Sequence, residues 1–531
     1  MRTQRTQWWF NGLLAATLSF PLAATADEAA ALDDEKTFAA SHDLAAQDPA
    51  ALTPTVATQR LLAPTAPLRV RWSLPLLDGK VKRLTVAAAE RKLPYVLVET
   101  DRNDLLAVNA DTGFCQWWIT MPRAISGKIC IGEKNLYFLL GNRLVALEPV
   151  SGGVLWNVEL PFAPAAGPAV NEQNADHPYI FIPSFDRQLY CVEVRQEDWA
   201  PKTTTLRARQ FAVRLDRVRT LWKCPLNGVA SSEAVYDAPT NTIYAEASNK
   251  EFYGIDFGKD PEAGLDQNKV WTYHTQRGNV AAPVVSGKNI LFASEDQTLY
   301  ALKPTGELNW KYAAGDALRR GPQIVRDAEL GRSWLLQKAG GGLVAVHERD
   351  GKAAWQHERG QFVVGVTQDK TEKINRRLLA VTLDGDGYLS ALRVSAAAPL
   401  PETVWQTMQS GATYEQALAK TAQQIAAKEK VSIEEAERLA GREERVARTA
   451  SAEGITAAAA LRKVLEEERL DRLLQRNLPA EIAWRLPVDN FAQFAEKSYG
   501  NAVSGDGDLG NDYIFCATAD LRSVCVLESN R

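Results

Sequence analysis

The sequence predicts an all-β protein, an eight-bladed β-propeller whose two chain ends share the last blade and which carries an α-helical insert. Three observations predict this fold. A strand-turn-strand unit recurs along the chain, a tryptophan follows a turn glycine at a fixed spacing, and the two chain ends carry complementary parts of one unit. Units of about 45 residues with short strands and Gly-containing turns are typical of four-stranded propeller blades.

The fixed spacing of glycine and tryptophan is the strongest of these signals. A tight turn between antiparallel strands often requires a positive φ angle, which glycine adopts without steric cost. A tryptophan that opens the next strand can pack its large ring against the neighbouring unit. The spacing of four residues occurs in these pairs: Gly113 and Trp117, Gly152 and Trp156, Gly306 and Trp310, Gly351 and Trp355.

Looser copies of the unit complete the ring. The segments 177–194, 241–257 and 376–394 lead to Trp222, Trp271 and Trp405, which gives seven units. The C-terminal segment 500–529 aligns with 167–194 but lacks a tryptophan strand. The missing strand matches "VRWSLPL" near the start of the chain, so Trp72 is expected to supply the outer strand of the eighth blade.

The remaining segments define the domain organisation. Residues 1–26 have the basic, apolar and small-residue regions of a secretory signal peptide, with an uncleaved anchor helix as the alternative. Residues 27–66 are expected to form a flexible linker, and residues 67–411 and 498–529 the propeller. Residues 412–497 are Ala-rich and carry a capping box, which predicts a helical insert between blades seven and eight.

Two inserts are candidates for contacts with a partner. If the helical insert joins two blades, it should stand on the face that carries the connections between blades. It could bind a partner protein, cap the channel or only pack on the rim. The second insert, 195–219, is rich in arginine and lies within the third blade. It should project from the opposite face, either to contact an anionic partner or as a solvated hairpin extension.

Composition excludes two classes of function. The chain has 531 residues, with 61 basic and 65 acidic side chains and a net charge of −4. No overall positive field is therefore present for nucleic acid. The mean hydropathy of −0.24 excludes a polytopic membrane protein, although it is compatible with peripheral association with a membrane.

The six cysteines offer two possible disulfides, because export would permit oxidation. Cys516 and Cys525 are predicted on consecutive strands of the last blade. Cys191 and Cys224 are predicted on adjacent strands that flank the basic insert. The alternative is that each cysteine is a small core residue, since the bridge geometry is not encoded in the spacing.

The segment "LYALKPTGELNWKY" resembles the pyrroloquinoline-quinone (PQQ) repeat, and the resemblance covers residues 67–411 and 498–529. It implies a propeller similar either to quinoprotein dehydrogenases or to non-catalytic BamB-like propellers, which help to assemble outer-membrane β-barrels. The first branch typically carries adjacent cysteines and calcium ligands. This chain has no adjacent cysteines, and its nearest calcium-ligand candidates, Asp384 and Asp386, fit a Gly-rich turn better. The lipidated N-terminal cysteine usual in BamB-like proteins is also missing after residue 26.

The sequence therefore favours an exported, non-catalytic binding or scaffolding module of the bacterial cell envelope, periplasmic or extracellular, with outer-membrane association left open. No catalytic residue, cofactor or metal is assigned, although enzymatic activity is not excluded. Protein partners are expected, with the insert 412–497 as the candidate contact. Two alternatives stay open: a divergent PQQ-dependent oxidoreductase, and a polysaccharide- or peptide-binding propeller.

Overall fold

The computed structural model is an eight-bladed β-propeller, as predicted. It describes residues 44–55, 62, 66–86, 95–173, 178–199, 213–230, 232–258, 261–279, 281–287, 289–327, 332–339, 342–369, 377–394, 482–495 and 513–529, with scattered positions between 420 and 464. The predicted signal peptide and the candidate Trp405 lie outside the described residues.

Each of the first four blades is an antiparallel sheet whose strands follow in chain order. Blade one contains β3 (Val81–Val86), β4 (Tyr95–Thr100), β5 (Asp104–Asn109) and β6 (Cys115–Thr120). Blade two contains β7 (Ser126–Ile131), β8 (Leu136–Leu140), β9 (Arg143–Leu147) and β10 (Val154–Glu159). Blade three contains β11 (Ala169–Asn171), β12 (Tyr179–Pro183), β13 (Gln188–Trp199) and β14 (Val213–Pro225). Blade four contains β15 (Val235–Asp237), β16 (Thr242–Ala247), β17 (Glu251–Asp256) and β18 (Val270–His274).

The next three blades repeat this order, and the eighth combines both ends of the chain. Blade five contains β19 (Val284–Ser286), β20 (Asn289–Ser294), β21 (Thr298–Leu302) and β22 (Leu308–Ala313). Blade six contains β23 (Gln323–Asp327), β24 (Arg332–Ala339), β25 (Gly342–His347) and β26 (Ala353–His357). Blade seven contains β27 (Gly360–Asp369), β28 (Arg377–Asp384), β29 (Tyr388–Arg393) and β30 (Ile482–Pro487). Blade eight contains β31 (Phe491–Phe494), β32 (Tyr513–Thr518), β33 (Ser523–Ser529) and β2 (Leu68–Pro75).

The ring closes without a covalent bond. Strand β2 pairs antiparallel with β33, from Leu68 opposite Ser529 to Pro75 opposite Ser523. Arg69 and Arg71 reinforce this pairing through ion pairs with Glu528 at 2.7 and 2.9 Å. The outer strand of blade eight therefore comes from the N-terminal side, as the match between the two chain ends predicts.

The core is divided among the junctions between blades. Eight clusters of buried apolar residues occur, and each contains side chains from two neighbouring blades. Middle strands such as β4, β8 and β20 are buried along their whole length because both of their faces pack against a neighbour. This explains their near-continuous apolar sequences.

Strand alternation defines two faces of the ring. First strands of neighbouring blades contact each other and surround the channel. Connections between first and second strands, and between third and fourth strands, emerge on one side, which we call the insert face. Connections between second and third strands, and between blades, emerge on the other side, which we call the entry face.

The outer strand of blade seven differs from the prediction. It is β30, in which Trp484 lies opposite Ala391 of β29, so Trp484 takes the position expected for Trp405. The expected helical insert 412–497 therefore ends too late, because 482–487 and 491–494 are strands. The insert also interrupts blade seven between its third and fourth strands, rather than joining blades seven and eight. Residues 458–462 within it are helical.

Part of the expected linker 27–66 is ordered, which corrects that interpretation. Strand β1 (Ala45–Gln47) adds a fifth strand to blade one by pairing with Thr120, Ile119 and Trp118. A 3₁₀ turn at Pro49–Ala51 follows, and Leu52 enters the apolar cluster between blades eight and one. Thr55 then exchanges two backbone hydrogen bonds with Ser73 of β2. We call residues 44–55 the N-terminal strap, because they link blade one to blade eight.

Candidate functional site

The tryptophans of the blade motif hold adjacent blades together. Trp72, Trp117, Trp271, Trp310 and Trp355 lie in outer strands, and each indole N–H donates to a carbonyl of the following blade. The acceptors are Ala110, Pro149, Pro304, Glu348 and Val394, at 2.8 to 3.1 Å. A junction with this bond is called a docked junction below.

The motif glycines make this docking sterically possible. Gly152 has a φ of 69°, and a Cβ atom built on it would lie 2.6 Å from Cδ2 of Trp117. Gly113 lies against the ring of Trp72 in the same way. The glycine of one blade therefore serves the tryptophan of the preceding blade, rather than the one that follows it in the sequence. Gly306 and Gly351 have the same relation to Trp271 and Trp310.

Two motif tryptophans lack this arrangement. Trp156 is half-buried and lies against Tyr137 of its own blade, with ring centroids 5.8 Å apart. Trp222 is buried beside Phe257, but its Nε1 has no hydrogen-bond partner among the described residues. The junctions between blades two and three, and between blades three and four, are therefore undocked.

All six cysteines are free thiols in the structure, so neither possible disulfide is formed. Cys516 and Cys525 lie directly opposite each other on β32 and β33, where the Sγ of Cys516 approaches the carbonyl of Cys525 at 3.8 Å. Cys191 and Cys224 are offset, because Cys191 faces Trp222 and Cys224 faces Leu189. Burial raises the pKa of the Cys224 and Cys525 thiols to about 11, which disfavours the reactive thiolate.

The calcium-ligand candidates are both occupied by other partners. Asp384 is bonded to His357 at 2.9 Å and accepts a hydrogen bond from Ser390 at 2.6 Å. Burial alone would raise its pKa, but these bonds and nearby Arg485 hold it below its usual value. Asp386 lies between Arg359 and Arg485. These residues do not fit a calcium and quinone site, because both carboxylates are already paired with cationic or polar side chains.

Two further features, a metal site and a membrane-spanning helix, can be assessed for the residues that the structure describes. Among these side chains, no group of three or more His, Cys, Asp or Glu is arranged to hold a metal ion. No helix in the described part of the chain has the length and apolar character needed to cross a bilayer.

Both large inserts leave the ring on the insert face, which corrects the expectation that they lie on opposite faces. The basic insert extends β13 and β14 of blade three, and the helical insert separates β29 from β30 of blade seven. Both are connections between third and fourth strands. Blades three and seven are four positions apart in a ring of eight, so the two inserts arise on opposite sides of the channel.

At the base of the basic insert, the positive charges of two arginines are neutralised by nearby carboxylates. Arg195 pairs with Glu193 at 2.7 Å and with Glu262 of blade four at 2.6 Å. Arg219 reaches the same two carboxylates at 3.2 and 3.4 Å. These two arginines therefore tie the ribbon to the next blade. The basic side chains between 200 and 212 lie outside the described residues.

Exposed apolar side chains are concentrated on the insert face. Phe114, Val150 and Leu155 are 56%, 61% and 40% exposed, and they lie at the third-to-fourth strand turns of blades one and two. Trp117 links the two turns, because it follows Phe114 by three residues and donates to the carbonyl next to Val150. Leu308 and Ile482 begin outer strands on the same face.

A family model described as outer membrane protein assembly factor BamB matches residues 65–256 and 262–458, more than half of the chain. The chain belongs to this family. No curated protein matches the chain. The BamB family assignment agrees with the resemblance carried by the repeat "LYALKPTGELNWKY".

Solved structures are similar to this chain at low sequence identity. The crystal structure of BamB from Moraxella catarrhalis is 12% identical, with a TM-score of 0.46, and the match covers 88% of this chain and 99% of that one. The crystal structure of BBS1N in complex with ARL6DN is 11% identical, with a TM-score of 0.38, and the match covers 60% of this chain and 94% of that one.

Proposed function

We propose that this protein is a non-catalytic binding module of the bacterial cell envelope, and that it docks a protein partner on the insert face of the ring. The observation that carries the proposal is the position of both inserts, which interrupt opposite blades on this one face. The BamB family description names outer membrane protein assembly, which supports an envelope role and protein partners.

The apolar side chains on the insert face support the same choice. Scattered apolar side chains are normal on a protein surface, whereas neighbouring ones indicate an interaction site. Phe114, Val150 and Leu155 come from adjacent blades and are joined through Trp117. Large exposed apolar residues described on the entry face are fewer, namely Leu77 and Phe185.

The proposal is tested by quantitative co-purification of the mature chain from its native envelope. The triple variant Phe114→Ser, Val150→Ser and Leu155→Ser removes the apolar patch without touching the buried docking residues. Phe185→Ser is the matched control on the entry face. We expect the triple variant to lose a partner that the wild type retains stoichiometrically and that rebinds in purified form, while the control keeps it.

A second variant tests the helical insert. Leu392 and Ile482 are paired neighbours on β29 and β30, so a short turn can replace residues 395–481 while both strands remain. We expect this variant to keep the circular dichroism and cooperative unfolding of the propeller but to bind the partner less tightly. Equal partner binding by the wild type, the triple variant and the deletion variant would contradict docking on the insert face.

A further inference from the structure

Three aromatic residues lie at or next to the turn between β12 and β13, on the entry face of blade three. Phe185 lies in this turn and is 63% exposed. Its backbone N–H donates to Ala163 at 3.0 Å, and Ser184 Oγ donates to the same carbonyl at 2.8 Å. These bonds fix the turn against the connection from blade two, which places Phe185 beside the residue that follows Phe162.

The other two aromatic rings stack on each other. Phe162 and Tyr190 are nearly parallel, with ring centroids 3.8 Å apart and an interplanar angle of 11°. Tyr190 donates its hydroxyl to Asp186 at 2.6 Å, so its ring extends towards the turn that carries Phe185. Both stacked residues are only half-buried. We call Phe162, Phe185 and Tyr190 the aromatic turn.

Polar groups flank the aromatic turn. Asp186 and Arg187 follow Phe185 directly and are exposed. The Tyr190 hydroxyl donates to one carboxylate oxygen of Asp186, Oδ2. The bond raises the pKa of Tyr190 to about 12, so the phenol remains a donor and holds Asp186 in place. The turn thus combines an apolar surface with a fixed acceptor and a guanidinium donor.

We propose that the aromatic turn is a carbohydrate-binding site that takes a segment of polysaccharide. One side of a pyranose ring is a plane of C–H groups that can stack on an aromatic face, and its edge carries hydroxyl groups that both donate and accept hydrogen bonds. Phe185 supplies the stacking surface, the carboxylate of Asp186 accepts from hydroxyl groups, and Arg187 donates to hydroxyl, amide or carboxylate oxygens. An entirely apolar peptide would leave Asp186 and Arg187 unused, so the polar flank favours sugar.

The site is independent of the partner surface proposed above, because it lies on the opposite face of the ring. Isothermal titration of the mature chain with chitotetraose tests it directly, since this probe carries both hydroxyl and acetamido groups. We expect millimolar to micromolar binding by the wild type and a loss of about tenfold or more for Phe185→Ala. Phe185→Trp keeps an aromatic face and should restore binding.

Leu77→Ala is the matched control, because Leu77 has the same exposed fraction of 63% as Phe185 and lies on the same face, outside the aromatic turn. It should bind chitotetraose as the wild type does. Two results would overturn the proposal: no heat of binding for the wild type at millimolar probe, or equal affinity of Phe185→Ala and the wild type. Displacement of the sugar by a proline-rich peptide at lower concentration would instead identify the turn as a peptide site.

Discussion

The junction between blades one and two and the junction between blades two and three differ in how a tryptophan is held. At the first, Trp117 is buried, lies on Gly152 and donates to Pro149. At the second, Trp156 is half-buried and packs within its own blade. The difference follows from the third-to-fourth strand connection of the following blade, which is a tight Gly turn in blade two and a long ribbon in blade three.

Blade three thus exchanges a docking turn for a surface element. The next junction, between blades three and four, replaces docking with an aromatic cluster that includes Phe181, Trp222, Tyr236 and Phe257. Arg195 and Glu262 bridge the same two blades at the surface. An insert at this connection does not by itself prevent docking, because Trp355 still donates to Val394 of blade seven, which carries the helical insert.

The largest expected effect is a loss of stability that differs between a docked and an undocked junction. Trp117→Ala should reduce the free energy of unfolding by about 4 kcal/mol, because it empties a buried docking site. Trp156→Ala should cost about half as much or less, because its ring is partly exposed and makes no docking bond. Urea denaturation followed by far-UV circular dichroism measures both. Equal losses would contradict a stabilising role for the docked arrangement of Trp117.

Gly152→Ala addresses the docking geometry itself. The alanine must adopt a positive φ and push against Trp117, so we expect a loss of about 3 kcal/mol. Gly315 has a φ of 76° with no atom within 4 Å of a built Cβ atom, so Gly315→Ala isolates the backbone cost. That control should lose about 1 kcal/mol. If both variants melt alike, contact with the ring is not the reason for the glycine.

The N-terminal strap adds a second fastening to the docked junction between blades eight and one. Leu52 is 3% exposed and lies in the cluster with Trp72, so Leu52→Ala should cost about 2 to 3 kcal/mol. Leu77→Ala, at a site that is 63% exposed, is the control and should be close to neutral. Thermal unfolding compares the two. An unchanged unfolding temperature for Leu52→Ala would show that the strap does not stabilise the junction between blades eight and one.

The smallest expected effect concerns the hydrogen bond between His357 of blade six and Asp384 of blade seven. Folded Asp384 has a pKa below its unfolded value, so its contribution is present above about pH 4 and is lost as the pH falls through the folded pKa. Asp384→Asn should therefore lose about 2 kcal/mol at neutral pH. The variant and the wild type should converge in stability as the pH falls through the folded pKa, as measured by urea denaturation at several pH values. A constant difference across this range would contradict an ionic contribution, and Asp78→Asn, at an exposed carboxylate, is the control.

The sequence predicted the ring because the docking signals are local. A glycine and a tryptophan four residues apart report a turn and an outer strand directly, and the matching chain ends report the closure. The error at blade seven arose where two tryptophans compete across a long insert. A signal was present: "AWRLPV" around Trp484 resembles "RWSLPL" around Trp72 more closely than the sequence around Trp405 does.

Other features depend on partners that are distant in the sequence. The strand Ala45–Gln47 has no β-pattern of its own and is ordered by the edge of β6. Cys191 is paired with Trp222, so it does not lie opposite Cys224. This strand register cannot be read from the spacing of the two cysteines. The aromatic turn is also not visible in the sequence, because Phe162 and Tyr190 lie 28 positions apart and stack only after blades two and three meet.

The non-covalent closure of the ring also determines when folding can be completed. Strand β2 lies near the start of the chain, yet its partner β33 ends at Ser529. During synthesis, β2 must therefore remain unpaired until the residues of β33 have left the ribosome. Contacts so distant in sequence form slowly, and waiting strand edges are prone to aggregate. The residues of β33 thus complete a blade whose outer strand is synthesised long before them.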